Sequence, residues 1–209
     1  QARFILNIGA QPHERLIFYS EYEIEHGGPN APGGGGEAKV EQAWASYLIN
    51  DMLNFRGGIV LVPFGKFNLL HDSDIQDLTE RPLVSRRVMP STWMESGFGA
   101  FGELPIGEVL KWNFLPDSYL NYEGYVINGL DEDISDTGTR NAKGHLSSDA
   151  NNNKALVGRI GLGLNRNLEL GLSGYAGKYG RSGSSTSNGK DNLIGLSSDL
   201  NFKRGPFEL

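Results

Sequence analysis

The chain lacks three features that would each point to a common class of protein. It has no cysteine, which excludes a disulfide framework and a thiolate metal site. It has no run of about 18 apolar residues, which excludes a transmembrane helix but not a β-barrel, because only every second residue of a barrel strand faces lipid. It has no excess of basic charge either. The formal net charge is −6, which disfavours nucleic acid as a partner because phosphate binding needs clustered Lys and Arg.

Catalytic and cofactor motifs are equally scarce. No Gly-x-Ser-x-Gly elbow is present and no serine has an identifiable base, so we do not expect an enzyme. The run Gly33–Gly36 lacks the Lys-Ser/Thr of a phosphate loop and is predicted to be a flexible connection. Four histidines are scattered along the chain: His13, His26, His71 and His145. None has a neighbour at metal-ligand spacing, so each is predicted to be a surface polar residue and no cofactor is expected.

An acidic stretch at residues 131–133 is joined by Asp136 and Asp149 further along the chain. Carboxylate oxygens are the ligands that calcium prefers, although this spacing matches no EF-hand loop. The sequence leaves open both calcium binding and the alternative that these are solvated loop carboxylates.

Glycine, in contrast, is abundant, with 29 of 209 residues. Much of it lies inside segments of period-two alternation, where it argues against helix and suits strands of a strongly curved sheet. The alternation is clearest in segments 156–164, 168–177 and 194–203, which are predicted strands with one apolar face. Predicted lipid-facing residues are Leu156, Ile160, Leu162, Leu168, Leu170, Leu172, Ile194, Leu196 and Leu200. Predicted lumen-facing residues are Arg159, Glu169, Ser173, Asp199 and Lys203.

The rest of the chain supplies further strands. They are predicted at residues 4–9, 16–25, 55–64, 96–103 and 118–128. Residues 37–53 have apolar side chains near helical spacing, but the neighbouring pattern favours two strands joined at Asn50-Asp51, so a helix and a strand pair both remain open. The total is nine strands and the start of a tenth.

The lengths of the connections indicate how the strands are joined. Short connections are predicted near 11–15, 50–52, 104–116 and 165–167, and long ones at 26–36, 65–94, 129–154 and 179–191. They alternate, as in up-and-down membrane barrels, whereas a sandwich with Greek-key links has no reason to alternate. The predicted fold class is therefore all-β: an antiparallel transmembrane β-barrel forming one domain over residues 1–209.

The connection at 65–94 is the strongest candidate for a functional loop. A connection of this length is usually functional or disordered, and its apolar content argues against disorder. A loop that folds into the mouth of a barrel needs both apolar anchors and charged residues, and this one has both. Its basic residues are Lys66, Arg81, Arg86 and Arg87.

Two interpretations of these basic residues stay open. They would form a constriction that attracts anions, in which case removing the charge of Arg86 and Arg87 should change ion selectivity. Alternatively they pair with nearby acids and fix the loop shape. Those acids are Asp72, Asp74, Asp77, Glu80 and Glu95.

The strands add four more pore-lining candidates. Arg56 and Arg159 lie on the less apolar faces of their strands. The strand at 16–25 places Glu21 and Glu23 on one face together with Glu25, which would favour cations locally.

Several motifs resemble the outer-membrane porin family related to phosphate-selective porins. They are Pro63-Phe64-Gly65, Arg81-Pro82-Leu83-Val84, Pro90-Ser91-Thr92-Trp93 and the segments 97–102, 122–130 and 171–179. The resemblance spans most of the chain. It implies a barrel of about sixteen strands, assembled as a homotrimer in the bacterial outer membrane and surrounded by its lipid. The chain would be an incomplete portion of such a barrel.

The function that the resemblance implies is passive diffusion of small hydrophilic solutes or ions, including anions such as phosphate. Two rivals remain. One is a soluble all-β module that binds glycans and buries its leucine faces against each other. The other is a non-conducting barrel that serves as a structural or adhesive element of the outer membrane.

Overall fold

Ten strands follow one another along the parts of the chain that the computed structural model describes. These parts are residues 3–25, 37–71, 80–88, 91–111, 113–135, 138–143, 146, 149, 151–165, 167–180, 191–204 and 207–208. The strands are β1 (Arg3–His13), β2 (Leu16–Glu25), β3 (Glu37–Asn50), β4 (Leu53–Leu61), β5 (Met94–Leu104), β6 (Tyr119–Ile127), β7 (Ala155–Asn165), β8 (Leu168–Tyr179), β9 (Asp191–Arg204) and β10 (Phe207–Glu208). The helices are short: α1 (Lys66–Leu69), α2 (Leu83–Arg87), α3 (Ile106–Val109) and a 3-10 turn (Arg140–Ala142).

The strands form a single antiparallel meander. Each strand pairs with the next one in the chain, in the order β1 to β10. Within the described residues β1 and β10 pair on one side only, so these strands form an open sheet. The prediction of an all-β, antiparallel, up-and-down fold is confirmed. Among the described residues, no helix is long and apolar enough to cross a membrane.

The predicted alternation of connection lengths is confirmed except between β5 and β6, where the 14 residues 105–118 exceed the 11 residues of the connections after β2 and β8. The strand bounds leave short turns after β1, β3, β7 and β9, and long connections after β2, β4, β6 and β8. Consecutive strands are antiparallel, so the long connections all lie at one end of the sheet, which we call the long-loop end, and the turns lie at the short-turn end. The link between β5 and β6, at the short-turn end, contains α3.

The ambiguous segment 37–53 contains a strand and a turn, so the helical alternative is wrong. β3 ends at Asn50, whose Oδ1 accepts hydrogen bonds from Met52 N at 2.9 Å and Leu53 N at 2.8 Å. This side-chain bonding to the backbone ahead of it is the reason why Asn initiates tight turns. β3 and β4 therefore pair as a hairpin.

Two predicted boundaries were wrong. β1 continues to His13 instead of ending before a turn at 11–15, and its pairing with β2 shifts register between Ala10 and His13. Pro12 lies within this register shift, where a strand residue needs no ladder hydrogen bond. β4 ends at Leu61, before Pro63, so that Phe64 lies outside the sheet.

The two faces of the sheet differ sharply in chemistry. On one face large apolar side chains are exposed, as at Leu172 (67%) and Leu196 (85%). On the other face polar side chains are covered, as at Arg159 (6%) and Ser173 (4%). We call these the apolar face and the polar face. The predicted assignment of alternating residues to opposite faces is confirmed for these strands.

The hydrophobic core lies against the polar face at the long-loop end. There the ends of the strands pack against connection residues that turn back over them. Its members are Val60, Val62, Phe64, Trp93, Tyr125, Ile127, Leu130, Ala142, Ala155, Val157 and Tyr175. Three aromatic rings join the connection to the wall: Trp93 lies 6.3 Å from Phe64 and 5.5 Å from Tyr175, between ring centroids. The connection after β4 is therefore part of the packed structure.

Candidate functional site

A cavity of about 760 Å³ lies on the polar face, on the short-turn side of the core. Its lining comes from six consecutive strands, β3 to β8, from the turn residues Arg15 and Asp51, and from Lys66, Leu69 and Leu70 of the connection after β4. Six neighbouring strands line one cavity only if the sheet curves around it. The polar face is therefore the inside of the curve, and it is the candidate site.

The connection after β4 is closed at its base by Asn68. The Nδ2 of this residue donates to Val62 O and to Trp93 O, both at 2.8 Å, and its Oδ1 accepts from Trp93 N at 2.8 Å. Asn68 is buried. One side chain thus hydrogen-bonds to both the start and the end of the connection and holds these two ends together.

The first residues of this connection contact the curved sheet on two opposite sides. On one side, Lys66 Nζ donates to Glu169 Oε1 of β8 at 3.0 Å, and Gly65 N donates to Ser173 Oγ of the same strand at 3.0 Å. On the other side, His71 Nε2 lies 3.1 Å from Glu41 Oε2 of β3. Residues 65–71 therefore cross the polar face from β8 to β3, and we call them the crossing segment.

His71 is buried with 2% exposure, so the prediction that it is a surface residue is wrong. Its Nδ1 lies 3.0 Å from Asn68 O, and its Nε2 faces the Glu41 carboxylate. Both neighbours are acceptors, so only the imidazolium form donates to both at once. His13 is exposed, as predicted, whereas His26 and His145 lie outside the described residues.

A β-bulge turns Glu41 onto the polar face. The pairing of β2 with β3 shifts register there, with Glu21 opposite Gln42 and Tyr22 opposite Val40, so that Glu41 is the extra residue. A bulge places two consecutive residues on one side of a strand. Strict alternation would have put Glu41 on the apolar face, which is why the sequence did not single it out.

The two acidic candidates on β2 lie beside this bulge and are both buried. Glu23 forms ion pairs with Arg3 and with Lys39, the latter at 2.7 Å. Glu21 accepts a hydrogen bond from Gln42 Nε2 at 2.7 Å. Arg3 and Lys39 were not among the predicted site residues. Their signal was available, because both lie directly across the sheet from acidic residues of β2.

Arg159 is the centre of a second cluster of charged side chains, near the middle of the polar face. Its guanidinium bonds to Glu169 Oε1 at 2.9 Å and also contacts the carboxylate of Asp199. A Cβ added at Gly171 would come within 2.3 Å of Arg159 Nη2, and one at Gly161 within 2.9 Å of Nη1. These two glycines leave the space in which the guanidinium lies flat against the wall. Part of the glycine content inside the strands is thereby explained.

Arg56 is held between two aromatic rings. Its guanidinium carbon lies 4.0 Å from the Trp44 ring centroid and 4.5 Å from that of Phe101. Its Nε donates to Ser46 Oγ at 2.9 Å. Cation–π contacts on both sides fix the side chain against the wall.

The arginines of the connection after β4 are not gathered around the polar-face cavity. Arg81 is half-buried and donates to His71 O at 3.2 Å. Arg86 forms an exposed ion pair with Glu80 at 3.4 Å. Arg86 and Arg87 line a separate cavity of about 290 Å³ together with Arg140. Of the four basic candidates in this connection, Lys66 alone lines the larger cavity.

The predicted pairing of these bases with acids of the same connection has a mixed outcome. Arg86 pairs with Glu80 as expected, but Lys66 pairs with Glu169 of β8. Glu95 is buried under Trp93, whose Nε1 donates to it at 3.1 Å. The other acids of this group, Asp72, Asp74 and Asp77, lie outside the described residues.

The described acidic residues after β6 serve as turn acceptors. Asp131 Oδ1 accepts from Asp133 N at 3.0 Å, and Asp149 Oδ1 accepts from Asn152 N at 2.9 Å. Across the described part of the chain, no three His, Cys, Asp or Glu side chains come together as a metal site, and Asp136 lies outside that part. Nearby, burial lowers the pKa of Lys143 to about 8, and its Nζ donates to Thr92 O at 2.7 Å.

Comparison with known proteins gives one informative similarity. No family model matches the chain. An uncharacterized protein of Aquifex aeolicus (strain VF5) is 31% identical over 180 residues, which cover 83% of this chain. The same alignment covers 38% of that protein. The chain therefore spans well under half the length of the relative it matches.

Proposed function

We propose that this chain forms part of a porin-type β-barrel of the bacterial outer membrane that lets small hydrophilic solutes or ions diffuse passively. The observation that carries the proposal is the inverted distribution of side chains. The apolar face is exposed, while the polar face is on the inside of the curve and carries buried ion pairs, the cavity and the crossing segment. This distribution is stable when the apolar face contacts lipid and the polar face contacts water, as in a membrane barrel.

The soluble sandwich fits the same sheet poorly. A sandwich buries the apolar faces of two sheets against each other. Here Ile194 is 75% exposed and Leu172 is 67% exposed, while the side that packs against other parts of the chain is the polar one. A contiguous apolar face of this extent marks a contact with a membrane or a partner. Lipid is the partner that matches a face made of many consecutive strands.

In the proposed barrel the crossing segment narrows the pore. It would leave the space beside Lys66, Arg159 and Glu169 as the path for solutes. The one-sided pairing of β1 and β10 supports further strands on either side, up to about sixteen in porins of this size. The greater length of the Aquifex relative is compatible with additional strands. The proposal also includes assembly as a homotrimer.

The test is reconstitution of the full-length protein in planar lipid bilayers. We expect it to remain in the membrane fraction after washing with high salt and to produce stepwise ion conductance. A protein that stays monomeric in buffer without detergent contradicts the proposal and favours the soluble module. Membrane insertion without any conductance contradicts the pore and favours the structural or adhesive barrel.

Releasing the crossing segment should enlarge the pore. In the double variant Lys66→Met/His71→Leu, both contacts with opposite walls lose a charge-assisted hydrogen bond, each worth about 1.5–3 kcal/mol. We expect a higher single-channel conductance and larger fluctuations of the open current, because the segment then moves away from the wall.

The matched control for this variant is Lys154→Met. Lys154 is exposed and pairs with Asp149, away from the crossing segment. Its conductance should equal that of the unmodified protein. Equal conductance of the double variant and the control would show that the segment does not limit the pore.

A further inference from the structure

The charges around the polar-face cavity are unevenly neutralised, and this inference rests on the proposed pore function. The charged residues that line the cavity are Arg15, Lys66, Arg159, Asp51, Glu103, Glu123 and Glu169. Two of the three cations are already engaged: Lys66 bonds to Glu169, and Arg159 bonds to Glu169 and to Asp199. Their positive charge is therefore offset locally and contributes little to the field in the cavity.

Two of the lining carboxylates have no cationic partner in the described part of the chain. Among the described residues, neither Asp51 nor Glu103 has a basic group within ion-pair distance, whereas Glu123 faces Arg56 and accepts a hydrogen bond from the Tyr125 hydroxyl at 3.3 Å. Arg15 is the one lining cation without an acidic partner among the described residues. The carboxylates of Asp51 and Glu103 together carry two negative charges, and the guanidinium of Arg15 carries one positive charge. The electrostatic potential in the cavity is therefore negative.

A backbone hydrogen bond places the two acidic residues on neighbouring segments of the cavity rim. Glu103 N donates to Asp51 O at 2.8 Å, which joins the turn between β3 and β4 to the end of β5. A Cβ at Gly102 would lie only 2.0 Å from Met52 O, so the glycine permits this close approach. Both acids lie at the short-turn end, where a solute would enter or leave the cavity.

We propose that the pore prefers cations over anions, with Asp51 and Glu103 as the residues that determine this selectivity. Fixed carboxylates at a pore mouth raise the local concentration of cations and repel anions. The arginines that would oppose this preference are elsewhere: Arg86 and Arg87 line the separate cavity beside Arg140. This placement argues against the selection of anions such as phosphate that the family resemblance suggested.

The experiment measures the reversal potential of the full-length protein in a planar bilayer under a KCl gradient. We expect a K⁺ to Cl⁻ permeability ratio above one that falls when the ionic strength is raised, because exposed charges are screened within about 10 Å at 0.1 M salt. In Asp51→Asn/Glu103→Gln the ratio should move toward one. In Asp51→Lys/Glu103→Lys it should fall below one.

The matched control removes two charges from the other cavity. Arg86→Gln/Arg87→Gln should leave the permeability ratio unchanged. A Cl⁻-selective unmodified protein, or a ratio that responds to the arginine variant and not to the carboxylate variant, overturns the cation assignment and leaves the pore itself intact. Absence of any conductance overturns the proposed pore function instead, so the two failures are distinguishable.

Discussion

Replacing Arg159 by Met should destabilise the folded protein by about 3–5 kcal/mol, as expected when one member of a buried ion pair is removed. Arg159 is 6% exposed and neutralises Glu169 and Asp199 at once. Without it, Asp199 loses the cation that it contacts in the described structure, and Glu169 keeps Lys66 as its cationic partner. Denaturant unfolding in detergent micelles, followed by tryptophan fluorescence, measures the loss.

The same substitution at Arg86 is the matched control. Arg86 is an exposed residue whose pair with Glu80 spans 3.4 Å, and exposed pairs are typically worth under about 1 kcal/mol. Combining Arg159→Met with Glu169→Gln and Asp199→Asn should recover part of the stability, because no unpaired buried charge then remains. A single Arg159→Met variant as stable as Arg86→Met would mean that water already solvates this cluster.

Local patterns in the sequence predicted the strands and their faces well. In the segment from Leu156 to Leu164 each residue's side is set by strand geometry alone, since side chains alternate along any strand. The long connections were equally readable, because turn-forming residues interrupt the alternation. These features depend on residues close together in the chain, and a single sequence contains that information.

The contacts that form the candidate site could not be read in this way. Lys66 and Glu169 are 103 positions apart, and the pair forms because the crossing segment folds back over the sheet. His71 was predicted to be exposed because nothing in its neighbourhood marks Glu41 as its partner. The bulge that turns Glu41 inward breaks the alternation on which the prediction relied. Contacts between distant segments thus form the candidate site, whereas local sequence patterns determine the strands on which the site lies.

The interior glycines also connect the sequence to the cavity. From sequence they indicated strands of a strongly curved sheet rather than helices. In the structure Gly161 and Gly171 lie under the guanidinium of Arg159, and Gly163 lies under the ring of Tyr119. Large polar side chains therefore lie against the wall instead of filling the cavity. The small side-chain volume at these positions keeps open the space that the proposed function requires.

Placing a charge on the apolar face should separate a membrane barrel from any soluble fold. Leu172 lies near the middle of β8 and is 67% exposed. In a bilayer, Leu172→Arg should cost about 2–4 kcal/mol, the value for Arg at the midplane of a barrel's lipid face, whereas an exposed leucine in water tolerates the change within about 0.5 kcal/mol. Unfolding from lipid vesicles measures the difference.

The control for Leu172→Arg is the same change at Leu156. This residue is 62% exposed but is the second residue of β7, near the long-loop end. Arg near the membrane interface costs only about 0–1 kcal/mol, so a barrel should show a clear difference between the two variants. Equal and small effects at both positions would mean that the apolar face is in water or against protein. A depth-dependent cost is a response that only a membrane around the sheet produces, because no protein partner orders its contact residues by distance from a midplane.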